Sequence, residues 1–93
     1  MGLNVKDVKL GVIGCGKMAS AILGGACQNN FLNPENVFVF DINLDASAKI
    51  CAKYGFIEAL SIKELVENVD VILLAVKPFV FHEVLLEIKE YYK

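Results

Sequence analysis

Short apolar runs alternate with longer amphipathic stretches along this chain of 93 residues. Residues 9–13, 37–40 and 71–76 are mostly apolar and rich in β-branched or aromatic side chains, which predicts three buried strands, the last being the clearest. Residues 56–60 predict a weaker fourth strand. Runs that are apolar on both faces are typical of a parallel sheet covered by helices.

The first helix is predicted over residues 17–30, directly after the first strand. Its apolar positions fall on one helical stripe, namely Met18, Ile22, Leu23 and Ala26. The pair Gly24-Gly25 lies inside this stretch, and each glycine costs about 1 kcal/mol relative to alanine. We therefore expect the helix to approach the sheet closely at this pair.

Three further helices are predicted, over residues 44–54, from about 62 to 68, and from about 79 onward. Asn43 caps the first of them, Gly55 ends it, and Ser61 begins the second with capping-box spacing to Glu64. The expected buried positions are Leu44, Ala48 and Cys51, and in the last helix Val80, Val84, Leu85 and Ile88. The expected water-facing positions of the last helix are Glu83, Glu87, Lys89 and Glu90.

Strand and helix therefore alternate four times, which predicts the α/β class. Right-handed crossovers would lay the strands down as a partial Rossmann-like parallel sheet flanked by helices, with about four βα units. The composition, with 56% apolar and 22% charged residues, suits one domain over residues 1–93 and excludes a disordered tail.

Charge and cysteine content narrow the functional classes. A net charge of −2 without any arginine argues against a nucleic-acid partner. The longest apolar run is too short for a bilayer and no leader is recognisable, so we expect no membrane association and a cytoplasmic location. Cys15, Cys27 and Cys51 lack metal-ligand spacing and are interpreted as reduced hydrophobic residues, with no metal site. The apolar surplus indicates an interface with another domain or subunit, although a generous core would explain it equally.

The segment GCGKMA, residues 14–19, has the GxGxxA pattern between a predicted strand and a predicted helix. In that place Gly14 permits a tight turn, Gly16 lets the backbone approach a diphosphate, and Ala19 lets the helix pack on the strand. Backbone N–H groups and the helix dipole then face the anion. The alternative is a glycine-rich turn that holds no ligand.

Asp41 ends the second strand, where an acid accepts hydrogen bonds from the adenosine ribose of a dinucleotide. A carboxylate there repels a 2′-phosphate, and the nearest downstream cation is Lys49 on the next helix, so the local charge favours NADH over NADPH. The alternative is an acid that only caps the helix.

For each of three further residues the sequence allows two interpretations. Cys15 at a helix N-terminus is either a redox-sensitive thiol or a small side chain that fits. Lys17 either reaches a phosphate or is solvated. His82 is the single histidine and is either a general acid or a partly exposed residue without a chemical role.

Three segments resemble pyrroline-5-carboxylate reductase: residues 11–25 (GVIGCGKMASAILGG), residues 33–36 (NPEN) and residues 75–78 (AVKP). The resemblance covers nearly the whole chain. It implies a domain that binds NADPH or NADH, from which hydride passes to the imine of 1-pyrroline-5-carboxylate to give L-proline. The cofactor-binding residues that it implies are Ile13, Gly14, Cys15, Gly16, Lys17, Met18, Ala19, Asp41, Ala75, Val76, Lys77 and Pro78.

Members of that family continue with further strands and a helical domain that dimerises and supplies the substrate pocket. The resemblance therefore implies a small-molecule substrate and a homo-oligomer for the intact protein. It also leads us to expect that this chain is a fragment, an excised domain or a natural truncation, inactive alone. The alternatives are another NAD(P)-dependent oxidoreductase of the same superfamily and a nucleotide-binding or oligomerisation module without turnover.

Overall fold

Four strands alternate with four helices in the computed structural model, which describes residues 8–14, 16–29 and 32–91 and only the backbone of residues 17 and 18. The strands are β1 (Leu10–Ile13), β2 (Val37–Phe40), β3 (Ile57–Glu58) and β4 (Val71–Leu74). The helices are α1 (Lys17–Gln28), α2 (Leu44–Tyr54), α3 (Ile62–Asn68) and α4 (Pro78–Tyr91), and a 3₁₀ turn over Pro34–Asn36 precedes β2.

The four strands form one parallel sheet in the order β3-β2-β1-β4. In this register Val12 of β1 lies between Val39 of β2 and Leu73 of β4. The predicted α/β class and Rossmann-like sheet are therefore confirmed. Because all strands run in the same direction, the residues that follow β1, β2 and β4 meet at one edge of the sheet, where ligands of such sheets bind.

Two hydrophobic clusters cover the two faces of the sheet. On one face, β1 and β2 pack against α1 and α2 through residues such as Val12, Leu23 and Ile50. On the other face, Ile13 packs with Leu65 of α3 and with Val84 and Ile88 of α4. Of the face predicted to be buried in the last helix, Val84 and Ile88 are buried and Val80 and Leu85 half-buried, and the acids and lysine are exposed as expected.

The helix ends follow the sequence signals. The Asn43 side chain accepts hydrogen bonds from the backbone N–H groups of Asp45 and Ala46, and Gly55 ends α2 with φ at +80°. The Ser61 hydroxyl accepts a hydrogen bond from the Glu64 N–H at 3.1 Å. All three predicted caps are confirmed, and they fix where α2 and α3 begin or end.

The predicted bounds of β2 are confirmed, whereas those of the other three strands were wrong in extent and, for β4, in burial. Residues 71–76 were expected to be the clearest buried strand, but β4 ends at Leu74 and Val71 is 50% exposed. The reason is its place at the end of the sheet, with only β1 as a neighbour among the described residues. β3 has two residues where five were expected, and β1 begins one residue late.

The faces predicted for the first two helices need correction. Ile22 is 56% exposed, and Leu44 and Ala48 are exposed as well. The buried residues of α2 are instead Ser47, Ile50 and Cys51. Ser47 is buried because its hydroxyl donates to the Leu44 carbonyl at 3.0 Å and also contacts the Glu58 carboxylate at 3.3 Å. These partners satisfy a polar atom that apolar periodicity treats as surface.

The glycine pair of α1 faces a helix and open space rather than the sheet. A Cβ at Gly24 would lie 2.6 Å from the Tyr54 hydroxyl oxygen of α2, whereas a Cβ at Gly25 would meet nothing within 4 Å. Close approach is therefore required at Gly24 alone, and it is an approach of two helices. α1 also ends at Gln28, two residues earlier than predicted.

Two further findings concern the described residues only. No helix there combines the length and the apolar character that a transmembrane span requires. Within the same part of the chain, Cys27 and Cys51 are free thiols, in agreement with their interpretation as reduced hydrophobic residues. Cys15 lies outside the described residues.

Candidate functional site

The bend between β1 and α1 depends on Gly14. This residue has φ at +98°, which side-chain-bearing residues rarely adopt. Its N–H donates to the Phe40 carbonyl at 2.8 Å, and a Cβ on it would lie 2.5 Å from the Ala75 carbonyl oxygen. Only glycine fits at this position, because both the backbone angle and the adjacent strand end exclude a side chain.

Gly16 is the N-cap of α1 and is shaped differently. It is exposed, its backbone is extended with φ −68° and ψ 179°, and a Cβ on it would meet nothing within 4 Å. No described side chain caps this helix, and its first turn holds no acid. The first N–H groups of a helix lack intrahelical acceptors and carry the positive end of the dipole, so this end of α1 suits an anion.

The neighbours of this loop complete the predicted glycine motif. Ala19 is 2% exposed, as expected for a small residue on which helix and strand pack. Lys17 and Met18 begin α1, and Cys15, the middle residue of the loop, lies outside the described part. The structure thus shows the tight turn predicted at Gly14 and the close packing predicted at Ala19, and it leaves the backbone at Gly16 open.

A cavity of about 420 Å³ opens at the carboxyl edge of the sheet, next to this loop. Its volume lies in the range of about 300–1,000 Å³ that is usual for small-molecule and cofactor sites. The predicted site residues that line it are Ile13, Gly14, Gly16, Asp41, Ala75, Val76 and Lys77. The structure therefore brings together the glycine loop, the end of β2 and the segment after β4.

Asp41 stands on the cavity wall directly after β2. Its Oδ1 accepts a hydrogen bond from the Asn43 N–H at 2.9 Å, which shapes the turn into α2. The N-cap of α2 is Asn43, so the alternative in which Asp41 caps that helix is wrong. The carboxylate is partly exposed, which leaves it within reach of a ligand in the cavity.

The segment after β4 forms a second wall. The Ala75 N–H donates to the Ile13 carbonyl at 2.8 Å, which holds the segment against β1. Val76 and Lys77 also line the cavity, and Lys77 is exposed. Pro78 begins α4 and is not among the lining residues, so its proposed contact with a cofactor has no support in this geometry.

Seven lining residues are not among the predicted site residues: Phe40, Ile42, Ile62, Val80, Glu83, Val84 and Glu87. Phe40 and Ile42 flank Asp41, and Ile62 begins α3. The last four share one face of α4, at positions i, i+3, i+4 and i+7. That spacing is visible in the sequence, but it does not reveal which way the helix is rotated against the sheet.

The other residues singled out from the sequence lie elsewhere. His82 is exposed on α4 and does not line the cavity, so the geometry gives it no partner for general acid chemistry there. Lys49 lines a separate depression between α1 and α2, together with Ser20, Lys53 and Tyr54. Among the described residues, therefore, Lys77 is the cation of the cavity.

The two described thiols are unreactive by position. Burial, followed by the charge of Glu58, raises the pKa of Cys51 to about 11. Burial also raises the pKa of Cys27. Neither lines the cavity, and a raised pKa reduces the fraction of nucleophilic thiolate, so these cysteines serve packing.

The arrangement suits binding of an elongated anionic ligand. The glycine loop offers backbone donors, Asp41 offers acceptors for hydroxyl groups, and the remaining wall is mainly apolar. Each of these features matches one part of a dinucleotide: the diphosphate, the ribose and the base.

Comparison with known proteins points the same way. Pyrroline-5-carboxylate reductase of Escherichia coli strain K12 is 38% identical over 82 residues, which are 88% of this chain and 30% of that protein. The reductase of Methanosarcina acetivorans is 32% identical over 85 residues, 91% of this chain and 32% of that protein. The chain thus spans about a third of the length of these curated relatives.

Solved structures agree in fold. The Plasmodium falciparum pyrroline carboxylate reductase with NADP bound matches 94% of this chain and 30% of its own, with a TM-score of 0.77 and 31% identity. The Coxiella burnetii pyrroline-5-carboxylate reductase matches 89% of this chain and 30% of its own, with a TM-score of 0.82 and 30% identity.

A family model also matches most of the chain. Residues 9–93 match the family described as "NADP oxidoreductase coenzyme F420-dependent". The match extends from the residue before β1 to the end of the chain and includes the whole cavity. The chain therefore belongs to this family of NADP oxidoreductases.

Proposed function

We propose that this chain is the part of a pyrroline-5-carboxylate reductase that binds the nicotinamide cofactor. The observation that carries the proposal is the cavity at the carboxyl edge of the sheet, which Gly14, Gly16, Asp41 and Ala75 line together. The curated relatives named pyrroline-5-carboxylate reductase and the NADP-bound solved relative support it.

The residues present fit a dinucleotide. Gly16 leaves open space above an exposed backbone at the N-terminus of α1, and any side chain would fill it. A diphosphate in that space would accept hydrogen bonds from backbone N–H groups and lie against the positive end of the helix. Asp41 would accept hydrogen bonds from ribose hydroxyls.

In the proposed reaction the cofactor supplies the chemistry, and this chain holds the cofactor in place. When bound, the reduced nicotinamide supplies the hydride for reduction of the pyrroline imine to L-proline. This chain positions the cofactor: Gly14 sets the bend, the Ala75–Ile13 backbone hydrogen bond holds the second wall, and Val76 closes the cavity beside them. A small-molecule substrate, a catalytic turnover and a homo-oligomer belong to this proposal for the intact protein.

Titration with NADH tests the binding function. In ¹H–¹⁵N spectra of the 93-residue chain, we expect the amide signals of Gly14, Gly16, Asp41 and Ala75 to shift with saturation. The amide of Gly55, which follows the opposite end of α2, is the internal control and should stay in place. Saturable shifts that spare the glycine loop would contradict the proposed site.

The activity needs a separate assay. Oxidation of NADH or NADPH, followed by absorbance upon addition of pyrroline-5-carboxylate, is expected for the intact protein that carries this chain. The 93-residue chain is expected to bind cofactor without this turnover. Oxidation driven by another imine or carbonyl substrate, with none on pyrroline-5-carboxylate, would favour a different oxidoreductase of the family.

For the choice of cofactor we propose that NADH binds at least as well as NADPH. The described lining residues include three carboxylates, Asp41, Glu83 and Glu87, against the single cation Lys77. An additional phosphate in such surroundings is repelled. The NADP-bound relative supports a nicotinamide cofactor without deciding between the two forms.

Paired aspartate variants test this preference. We expect Asp41→Asn to lower the dissociation constant of NADPH relative to that of NADH, because the variant keeps an acceptor oxygen for the Asn43 N–H and removes the charge. Asp45→Asn is the matched control, since Asp45 is exposed in the first turn of α2 and outside the cavity. A clear NADPH preference of the unmodified chain would contradict this part of the proposal.

A further inference from the structure

Tyr54, the last residue of α2, lies directly against helix α1. A Cβ added at Gly24 of α1 would lie 2.6 Å from the Tyr54 hydroxyl oxygen and 3.1 Å from the ring carbon that carries it. Gly24 is buried at this contact. One helix therefore meets the other through a side chain on bare backbone, and this contact fixes the separation of the two helices.

The Tyr54 ring is itself held in place. It stacks on the ring of Phe56, with the centroids 5.3 Å apart and the planes at 28°. Phe56 is 6% exposed and belongs to the hydrophobic cluster beneath α1 and α2. The Lys53 Nζ lies 5.2 Å from the centroid of the Tyr54 ring. Because a tyrosine has only two side-chain torsions, a ring stacked in this way acts as a rigid spacer.

Beside this contact the two helices stand apart. A depression of about 290 Å³ opens between α1 and α2. Ser20, one helical turn before Gly24, lines it together with Lys49 and Tyr54 of α2. The helices are thus separated beside Ser20 and in contact at Gly24, so Tyr54 determines how far α1 stands from α2.

Helix α1 begins at the loop proposed to hold the diphosphate. Gly16 is its N-cap, and Gly24 lies about 12 Å further along a helix that rises about 1.5 Å per residue. A short helix moves as a rigid unit, so a displacement at Gly24 is carried to the backbone N–H groups of the first turn. The hydrogen bonds that these groups donate weaken steeply once their geometry is distorted.

We propose that Tyr54 is a positioning residue for cofactor binding, because it places α1 so that the first N–H groups of the helix meet the diphosphate. This inference rests on the proposed function, since it concerns the same anion site. Tyr54 does not line the cavity and therefore acts through α1.

Gly24→Ala tests the contact in the 93-residue chain, and Gly25→Ala is the matched control. Both variants add one methyl group to the same helix, but a Cβ at Gly25 meets nothing within 4 Å. A Cβ at Gly24 must move from 2.6 Å to an ordinary contact distance of at least 3.4 Å. In fluorescence titrations we expect the NADH dissociation constant to rise about tenfold in Gly24→Ala, as for one weakened hydrogen bond to a charged group, and less than about twofold in Gly25→Ala.

Adenosine distinguishes positioning from general damage to the fold. It lacks the diphosphate, so it would meet Asp41 without contacting the first turn of α1. Its dissociation constant, measured from the amide shift of Asp41 in ¹H–¹⁵N spectra, is expected to change less than about twofold in Gly24→Ala. A role of Tyr54 limited to stability would weaken NADH and adenosine by the same factor, and that result would overturn the inference.

Rescue identifies Tyr54 as the cause. The double variant Gly24→Ala, Tyr54→Phe lacks the hydroxyl oxygen nearest to the added methyl group. We expect its NADH dissociation constant to return to within about threefold of the unmodified value.

Tyr54→Leu is a second variant for the case in which circular dichroism shows Gly24→Ala to be unfolded. It introduces no clash, and its shorter side chain no longer spaces α1 from α2. NADH is expected to bind about threefold more weakly and adenosine with unchanged affinity. Unchanged NADH affinity in Tyr54→Leu would overturn the inference.

The outcomes separate the two proposals. If the unmodified chain binds neither NADH nor adenosine, the proposed function is wrong and this inference fails with it. If NADH binds the unmodified chain and Gly24→Ala with equal affinity, only the inference about Tyr54 is overturned. The same holds if Gly25→Ala weakens NADH as much as Gly24→Ala does, or if Tyr54→Phe brings no rescue.

Discussion

Adding one methyl group to either glycine of the β1–α1 loop should have opposite consequences. At Gly14, a Cβ must adopt φ near +98° and would lie 2.5 Å from the Ala75 carbonyl oxygen. At Gly16, a Cβ meets nothing within 4 Å and the backbone is extended. Gly14→Ala is therefore expected to damage the fold, and Gly16→Ala to damage only ligand binding.

The magnitude follows from these two contacts. A positive φ costs an alanine about 1–2 kcal/mol. Relief of the clash requires β4 and β1 to separate where the Ala75 N–H donates to the Ile13 carbonyl, and such overpacking typically costs about 1–3 kcal/mol. We therefore expect Gly14→Ala to lower the free energy of unfolding by about 2–5 kcal/mol, a large part of the stability of a small domain.

At Gly16 the expected loss of stability is at most about 1 kcal/mol, since alanine is only a poorer N-cap than glycine. Binding should suffer more. The methyl group would occupy the space into which a diphosphate must come to reach the backbone N–H groups, so the NADH dissociation constant should rise at least about tenfold.

Urea denaturation followed by circular dichroism measures the first quantity, and NADH fluorescence titration the second. Both variants and the unmodified chain are compared under identical conditions. The reasoning is refuted if Gly14→Ala unfolds at the urea concentration of the unmodified chain. It is refuted equally if Gly16→Ala binds NADH with unchanged affinity.

Three further predictions concern stability, each checked by urea denaturation. Ser61→Ala should lower the free energy of unfolding by about 1 kcal/mol, because the Glu64 N–H loses its acceptor; an unchanged midpoint would contradict the cap. Leu65→Ala should lower the free energy of unfolding by about 2–5 kcal/mol, because Leu65 is fully buried. Leu60→Ala, at a position that is 64% exposed, should change it by less than about 0.5 kcal/mol. Equal effects of the two substitutions would contradict the core assignment. The pKa of Cys51 is about 11 in the folded chain and 9.0 in the unfolded chain, so the free energy of unfolding should fall as pH rises across that interval. Cys51→Ala should remove this contribution, and a pH dependence that the substitution leaves unchanged would contradict the raised pKa.

The order of elements could be predicted because each signal is local. Gly55 adopts the left-handed conformation that ends a helix, and the Ser61 side chain caps the next helix by accepting from the N–H of Glu64, three residues later. Burial of whole strands could not be predicted in the same way. Residues 71–76 form the most apolar run, yet β4 lies at the end of the sheet. That position is decided by the path of the crossovers, which a strand's own residues do not encode.

The candidate site likewise contains residues that local sequence signals could place and residues that they could not. Gly14 and Asp41 each follow a predicted parallel strand directly, so recognising the strands was enough to place them at one edge. Ala75 was predicted inside the strand over residues 71–76 and was indicated as a site residue only by the family resemblance. Glu83 and Glu87 were correctly expected to be exposed, but their place in the cavity lining was missed. Exposure and a place in a cavity are compatible, and only the rotation of α4 against the sheet distinguishes them.

This division has a consequence for how substitutions act on cofactor choice. In the proposed function, the loop would meet its ligand through backbone N–H groups, which a diphosphate engages in the same way whatever the rest of the dinucleotide carries. Changes at Gly16 should therefore weaken the binding of NADH and of NADPH by the same factor. In the proposed function, the ribose region would meet the ligand through the side chain of Asp41, whose charge distinguishes NADH from NADPH. Changes there should alter the ratios of the dissociation constants, so the ratios identify the wall on which a substitution acts.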